Sequence, residues 1–525
     1  MNVRRTLPEG ARRGWCPSLA RPMPTGDGLL ARIHPPLGLV SPAQLRAVAE
    51  AALAFGNGHV DLTARANLQI RGVSEATRGP LAEALAGVGL GDARGDGGPQ
   101  RLTLASPLCG LAPALIDGQA VAARIEALGR AVAPLPAKTL VAVEAGGACD
   151  LPGLEADIHV RAAAPGRARI GLATGAEPLW LAERPEAAVA EAVAALLHGF
   201  SRTGVRRVRD LTDAERAALS LPSPSRALAD DGGPMPSSTV HERGAGPLSR
   251  AGEGQGEGPG AFRIGRGGVV PPPERSHPSP QPSPARERGH GAVLARAEAW
   301  GRHSDKGSNQ PEADPQVHMR PPSPNPNRAC PTWAEADRSR AGPRSVGGGK
   351  TVIALDAPFG RCTAAMLLRL ADAAEAAGAV DIRLSPSRGF VLAADPTRAE
   401  AARARLAADF ITEPDDPRRA VAACPGAPAC ASGSTPTQDD AARLAEAFRP
   451  FAARGLRAHV SGCAKGCAAP HRSDLTLVGE GALYGVVPGG AAGDAPVERL
   501  TIEAALERVR GAQTANLEDL FRTST

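Results

Sequence analysis

A chain of 525 residues with a net charge of only +5 has room for two or three domains. It does not read as a nucleic-acid binder, because no basic stripe with interleaved aromatics accompanies the charge. No apolar run approaches the roughly 18 residues of a membrane span, and the basic start MNVRRTLPEGARRGWCPSL has no apolar segment behind it, so the expected location is the cytoplasm.

In chain order, the first predicted strand is Leu29–Ile33. A Pro-x-Gly turn at Pro36 and Gly38 follows, then an amphipathic helix of about three turns, a stop at Gly56 and a second strand beginning Val60–Leu62. Further on come a strand at Leu102–Leu104, a loop at Ser106–Gly110, a helix from about Asp117 to Ala131 and a strand at Thr139–Glu144. Residues 223–347 abandon this pattern for Pro/Gly/Ser/Arg-rich sequence, which is expected to form a disordered insert because it cannot bury enough apolar surface to offset the entropy of ordering. Only Ala292–Trp300 within it could form a short helix.

The pattern then resumes as a repeat. Leu30–Gln69 aligns with Val352–Val391 without a gap, matching Pro36 and Gly38 to Pro358 and Gly360, Leu45 to Leu367, and Gly56 to Gly378. Strands are expected at Val352–Leu355 and from Ile382–Leu384. Next come a strand at Ala420–Ala423, a loop carrying Cys424 and Cys430, a helix from about Gln438 to Ala453 and a strand at Arg457–Val460. The fold class is therefore α+β, two related halves each with a small and a larger unit. The boundaries are 14–75, 98–222, 348–400 and 415–525, with the insert between the halves.

In a reducing compartment nine cysteines are not a disulfide framework, and clustered ones suggest metal or redox chemistry. ACPGAPAC and SGCAKGC give C-x5-C and then C-x3-C, with Cys424, Cys430, Cys463 and Cys467 as four thiolates, the number a [4Fe–4S] cubane needs. Structural zinc favours closer pairs than the five-residue spacer. Cys16, Cys109, Cys149 and Cys362 have no partner spacing and read as small buried apolar residues; Cys330 reads as an incidental loop residue.

This cysteine pattern after a duplicated α+β unit resembles the sulfite/nitrite reductase superfamily. The likeness implies a pseudo-two-fold architecture of ferredoxin-like half-domains and larger cluster and tetrapyrrole domains. It assigns the four cysteines to the cluster, with Cys467 where the reductases bridge cluster to sirohaem. Thr63-Ala-Arg65-Ala-Asn67-Leu-Gln69 resembles a superfamily strand that faces the tetrapyrrole, and alternation along a strand would turn Arg65, Asn67 and Gln69 to one side. Arg101 and Lys138 match further anion-binding positions, so these five residues are the expected substrate-binding set. Without the likeness, Arg65, Arg101 and Lys138 read equally as solvated or structural cations.

The reductases carry a second lysine where this chain has Leu140, which counts against six-electron reduction of a small oxyanion. Gly14-Trp-Cys-Pro-Ser-Leu, Arg21-Pro-Met23, Gly26-Asp-Gly-Leu-Leu-Ala-Arg32 and Ser106-Pro-Leu-Cys-Gly-Leu look like the oxygen-dependent branch, the precorrin-3B synthases of aerobic cobalamin biosynthesis. That likeness implies a monooxygenase that hydroxylates precorrin-3A at C20 and closes a γ-lactone, using O2 and NADH-derived electrons, with the tetrapyrrole as substrate and not as resident sirohaem. It also allows a mononuclear non-haem iron, for which no ligand set follows from spacing: His34, His59, His159, His459 and His471 each read alone as a surface or hydrogen-bonded core histidine. No dinucleotide fingerprint sits at a strand–helix junction, so a separate reductase or ferredoxin is the expected electron donor. A sirohaem-dependent sulfite or nitrite reductase and a non-catalytic electron-transfer protein are the alternatives.

Overall fold

The computed structural model describes residues 15–151, 153–220, 344–346, 349–511 and 517–521, all within one structural unit. The greater part of the expected insert, including Ala292–Trp300 and Cys330, lies outside the described residues.

The first half begins with strands β1 (Met23–Thr25), β2 (Gly28–Ile33) and β3 (Leu39–Val40), helix α1 (Pro42–Phe55), β4 (His59–Leu62), β5 (Leu68–Val73) and α2 (Arg78–Gly87). Its larger unit has β6 (Thr103–Ala105), α3 (Gly118–Gly129), β7 (Val141–Glu144), β8 (Ile158–Ala164), β9 (Arg167–Leu172), β10 (Leu179–Trp180), β11 (Arg184–Pro185), α4 (Val189–Ser201) and α5 (Asp213–Ser220). The second half repeats the plan. It has β12 (Arg344–Val346), β13 (Lys350–Asp356), β14 (Arg361–Thr363), α6 (Ala364–Ala376), β15 (Ile382–Ser385), β16 (Gly389–Ala394) and α7 (Pro396–Leu406). Then come β17 (Val421–Ala423), α8 (Thr437–Ala453), β18 (Ala458–Ser461), β19 (Ser473–Glu480), β20 (Leu483–Gly490), β21 (Glu498–Leu500), α9 (Ile502–Gly511) and α10 (Leu517–Leu520).

The repeated helix starts for the same reason in both halves. Ser41 caps α1, its hydroxyl accepting from the Gln44 amide at 3.1 Å while the Gln44 side chain accepts from the Ser41 amide at 2.9 Å. Thr363 caps α6 by accepting from the Met366 amide at 3.2 Å. Backbone conformation repeats as well: Leu37 and Phe359 both have φ 53°, Gly38 and Gly360 both φ 76°, and Ala66 and Arg388 φ 51° and 65°. A left-handed conformation costs free energy in any residue but glycine, so its return at aligned non-glycine positions supports a true duplication.

The small units are not independent. One sheet runs β1-β2-β5-β4-β14 and the other β12-β13-β16-β15-β3, so each half lends the strand after its Pro-x-Gly turn to the other's sheet edge. Cys362 pairs with Val60, and Val40 with Ile382. Helices α1 and α6 pack together above the sheets, and one apolar core holds Leu45, Val48 and Ala52 with Leu367, Leu370 and Ala374. The two ferredoxin-like half-domains are therefore interlocked, since neither sheet is complete without the other half. The insert is also shorter than expected: Arg344–Val346 forms an edge strand, Val346 opposite Lys350. In each larger unit three parallel strands (β6, β7, β8 and β17, β18, β19) continue into an antiparallel hairpin with β9 or β20.

Candidate cluster and anion site

Loops in such sheets project beyond the carboxyl ends of the parallel strands. The loops after β17 and β18 carry Cys424, Cys430, Cys463 and Cys467. Cys424 is buried, and its sulfur accepts from the Gly462 amide at 3.1 Å; Cys430 and Cys463 are half-buried and Cys467 is exposed. Burial raises the Cys467 thiol above its ordinary pKa, and the other three sulfurs, close enough to act on it, raise it further. The Lys465 ammonium ties the two loops by donating to the Ser432 hydroxyl at 3.1 Å. Close backbone approach is built in with glycine: Gly426 has φ 63°, and a Cβ there would lie 2.4 Å from the Thr437 hydroxyl.

The first half grips this loop directly. The Gly26 amide donates to the Ala429 carbonyl at 3.2 Å. Arg71, with a side chain only 2% exposed, donates to the same carbonyl while pairing with Asp27 at 2.8 Å and Asp61 at 2.9 Å. Asp61 in turn pairs with Arg361 of the exchanged strand at 2.7 Å.

A second feature is a group of cations with no carboxylate on them. Among the described residues, Arg32, Arg65, Arg101 and Lys138 form no ion pair. Arg32 donates to the Gln69 side chain at 3.0 and 2.6 Å. Arg65 donates to the backbone carbonyl of the exposed Lys138 at 3.1 Å. Burial pulls the Arg32 and Arg65 guanidiniums below their ordinary pKa; Arg65 adds to the effect on Arg32, and Arg207 to that on Arg65. Burial, then repulsion from Arg32 and Arg101, lowers His34 to about 3, so its imidazole is neutral at physiological pH. Such crowding of desolvated cations favours any ligand that brings negative charge.

Alternation along one strand does not hold for Arg65, Asn67 and Gln69. Thr63–Asn67 is a turn: the Thr63 amide donates to the Asn67 carbonyl at 3.0 Å, and the Thr63 hydroxyl accepts from the Arg65 and Asn67 amides at 3.3 and 3.1 Å. Only Gln69 lies on a strand. Asn67 is buried, and its side-chain oxygen has no partner. Arg101 is also buried, donating to the carbonyls of Pro35 at 3.3 Å, Ala66 at 2.9 Å and Arg65, so it holds the turn that presents Arg65. Burial lowers its guanidinium to about 10.

In the pseudo-symmetric site one of the corresponding cations is neutralised. Arg419, the counterpart of Arg101, pairs with Asp356 at 2.6 Å, and Asp356 stands where the first half has His34. Electrostatics link the cation group to the thiol loops: against the upward pull of burial, Arg209, His471 and Arg207 hold the Glu155 carboxyl below its ordinary range, and His471 lies just past Cys467.

Sequence reasoning missed several residues here. Cys16 is half-buried and acts on Arg32 and Arg65, unlike a buried apolar residue. Cys109 and Cys149 are not unrelated: their thiols hydrogen-bond across the two first-half loops that correspond to the cluster loops. His459 is fully buried with neither ring nitrogen partnered, so it is neither a surface nor a hydrogen-bonded core histidine.

A precorrin-3B synthase of Sinorhizobium sp. is 30% identical over 492 residues, 92% of this chain and 84% of the relative. The chain belongs to the precorrin-3B synthase family. The nitrite/sulfite reductase ferredoxin-like half domain matches residues 21–88, and so includes α2, beyond the expected boundary at 75. An assimilatory ferredoxin-dependent nitrite reductase of Haloferax mediterranei is 29% identical over 190 residues, covering 33% of this chain and 32% of the relative. The structure of the Mycobacterium tuberculosis NirA protein shares the fold, with a TM-score of 0.57 at 18% identity over 92% of this chain and 79% of that one. The relatives are oxidoreductase-like enzymes, and the nitrite/sulfite reductases among them typically use an iron–sulfur cluster and sirohaem. No helix among the described residues is long and apolar enough to cross a membrane.

The thiol loops fit a cubane. Among the described residues, no three His, Cys, Asp or Glu side chains converge closely enough to hold one metal ion. The other three sulfurs all act on Cys467, so the two loops bring four thiols to one place, and four thiolates, each binding a different iron, are the donor set of a cubane.

Proposed function

We propose that the chain is an oxygen-dependent monooxygenase that hydroxylates precorrin-3A with γ-lactone formation, and that Cys424, Cys430, Cys463 and Cys467 hold a [4Fe–4S] cluster. The observation that carries the reading is the group of cations without ion-pair partners in the first half, where Arg101 has no carboxylate bound to it although its counterpart Arg419 pairs with Asp356. A tetrapyrrole with many carboxylates supplies the missing charge, and a planar guanidinium binds a carboxylate through two parallel hydrogen bonds. Arg32, Arg65 and Lys138 are assigned to binding the ligand's carboxylates. Gln69 orients Arg32, and Arg101 positions the turn that carries Arg65. Asn67, buried with an unpartnered oxygen, lies in that same turn.

The bound cluster would supply electrons singly, as oxygen activation requires. In balance, one oxygen atom enters the substrate and the other leaves as water, with two electrons and two protons from an external donor. That donor is assigned to an NADH-dependent reductase or a ferredoxin. His34, neutral beside the cations, is available to hydrogen-bond a ligand carboxyl without adding charge. A resident sirohaem serving oxyanion reduction is disfavoured by Leu140, which is buried in the core and gives the cleft no second cation.

Anaerobic titration of the reconstituted protein with precorrin-3A tests the reading. Saturable one-to-one binding that weakens with added salt supports it; sirohaem absorption bands in the protein as purified, with no affinity for precorrin-3A, would favour a sulfite or nitrite reductase.

A further inference from the structure

His459 lies in the middle of β18, four residues before Cys463. Its strand neighbours Ala458 and Val460 point into the core beneath α8, so the imidazole faces the opposite side of the sheet, where the cysteine loop crosses. A Cβ placed on Gly466, inside that loop, would sit 3.8 Å from the His459 ring carbon Cε1. Arg388 is on the same side, donating to the Ala468 carbonyl at 3.0 Å, acting electrostatically on His459 and feeling the charge of Cys424.

The other polar groups of this sheet face are satisfied. The Ser461 hydroxyl donates to the Cys463 carbonyl at 2.7 Å, and the Thr476 hydroxyl to the Gly490 carbonyl at 2.8 Å. His459 is 0% exposed, yet both ring nitrogens lack a partner. A buried imidazole with an orphaned N–H costs free energy, so native structures place a group where it can accept. His459 is paired across the sheet with Thr476, whose hydroxyl is already given to Gly490, and Gly466 of the cysteine loop lies against both the ring and Ala492, which clusters with Val478 and Val487.

We infer that His459 donates its ring N–H to the iron–sulfur cluster and thereby sets the cluster's reduction potential. The inference rests on the cluster assignment above. A donor to a cluster sulfur stabilises the reduced form, which carries more negative charge, and so raises the potential. The imidazole stays a neutral donor, and no proton is transferred when the cluster takes up an electron from dithionite. His459 is a positioning and tuning residue, with no contact to substrate required.

The test uses the full chain reconstituted anaerobically, with iron and sulfide counted first; a protein that takes up no cluster defeats the cluster assignment itself. Dithionite titration followed by electron paramagnetic resonance should place His459→Leu below wild type by about tenfold in the one-electron equilibrium constant, about 59 mV. His459→Asn or His459→Gln, which keep an amide N–H, should recover part of that shift. An unchanged potential in a fully loaded His459→Leu protein overturns the inference. A second measurement does not depend on the variants folding. In wild-type protein grown on nitrogen-15 histidine, pulsed resonance of the reduced cluster should detect a nitrogen coupling that persists in His471→Asn. Absence of that coupling, as a trapped water beside the ring would give, also overturns it.

Discussion

Arg101 and Arg65 carry the same charge and do different work. Arg101 is enclosed, with its donors spent on three backbone carbonyls; Arg65 reaches one carbonyl and stays half-buried at the cleft. Arg101→Met should therefore lower stability by about 2–3 kcal/mol, because the carbonyls it served are left buried without donors. A thermal melt checks this. Arg65→Ala should leave the melt close to wild type but weaken precorrin-3A binding by about 10–100-fold, the worth of one charge-assisted contact. His34 predicts a pH effect of definite sign. Its folded value of about 3 lies below the ordinary 6.5, so its contribution to stability is complete above about 6.5 and is lost as pH falls toward 3. His34→Gln should flatten the acid limb of melting temperature against pH; an unchanged limb would count against a buried neutral imidazole.

At the scale of elements, the repeated strand–turn–helix–strand unit was legible because its signals are local: capping residues, a Pro-x-Gly turn, apolar spacing and a stop glycine. Thr63–Gln69 was misread because period-two alternation was extended through a turn. The second copy held the correction, since Ser385-Pro-Ser-Arg-Gly389 is turn sequence and Ala66 shares its left-handed backbone with Arg388. The four cysteines assigned to the cluster were picked out by their spacing. The Cys109–Cys149 pair did not, because only the parallel strands β6 and β7 bring those loops together. The strand exchange was also hidden, as a two-residue edge strand has no pattern of its own. Arg71 joins these elements: its loss leaves Asp27 uncompensated and frees the Ala429 carbonyl of the cluster loop. Arg71→Met should cost about 3 kcal/mol and lower the iron content of the reconstituted protein, measured per chain.

The whole molecule is two halves that complete each other. One apolar core draws on both, and each small sheet borrows an edge strand from the other half. Residues 15–220 and 344–521 produced as separate chains should fail to fold alone and should co-purify as a one-to-one pair when expressed together; two independently folded fragments would contradict the exchange. Duplication followed by divergence also explains the site: one half retained the thiol loops, the other kept its cations free, and on the opposite side Asp356 neutralises Arg419. The most direct test of this division is turnover. Protein loaded with its cluster is given precorrin-3A, an electron donor and oxygen-18 gas, and the product is analysed by mass. One labelled oxygen atom in the product, lost when Cys463 is replaced by Ser, is the predicted result. Unlabelled precorrin-3A recovered from fully loaded protein under reducing conditions would contradict the account.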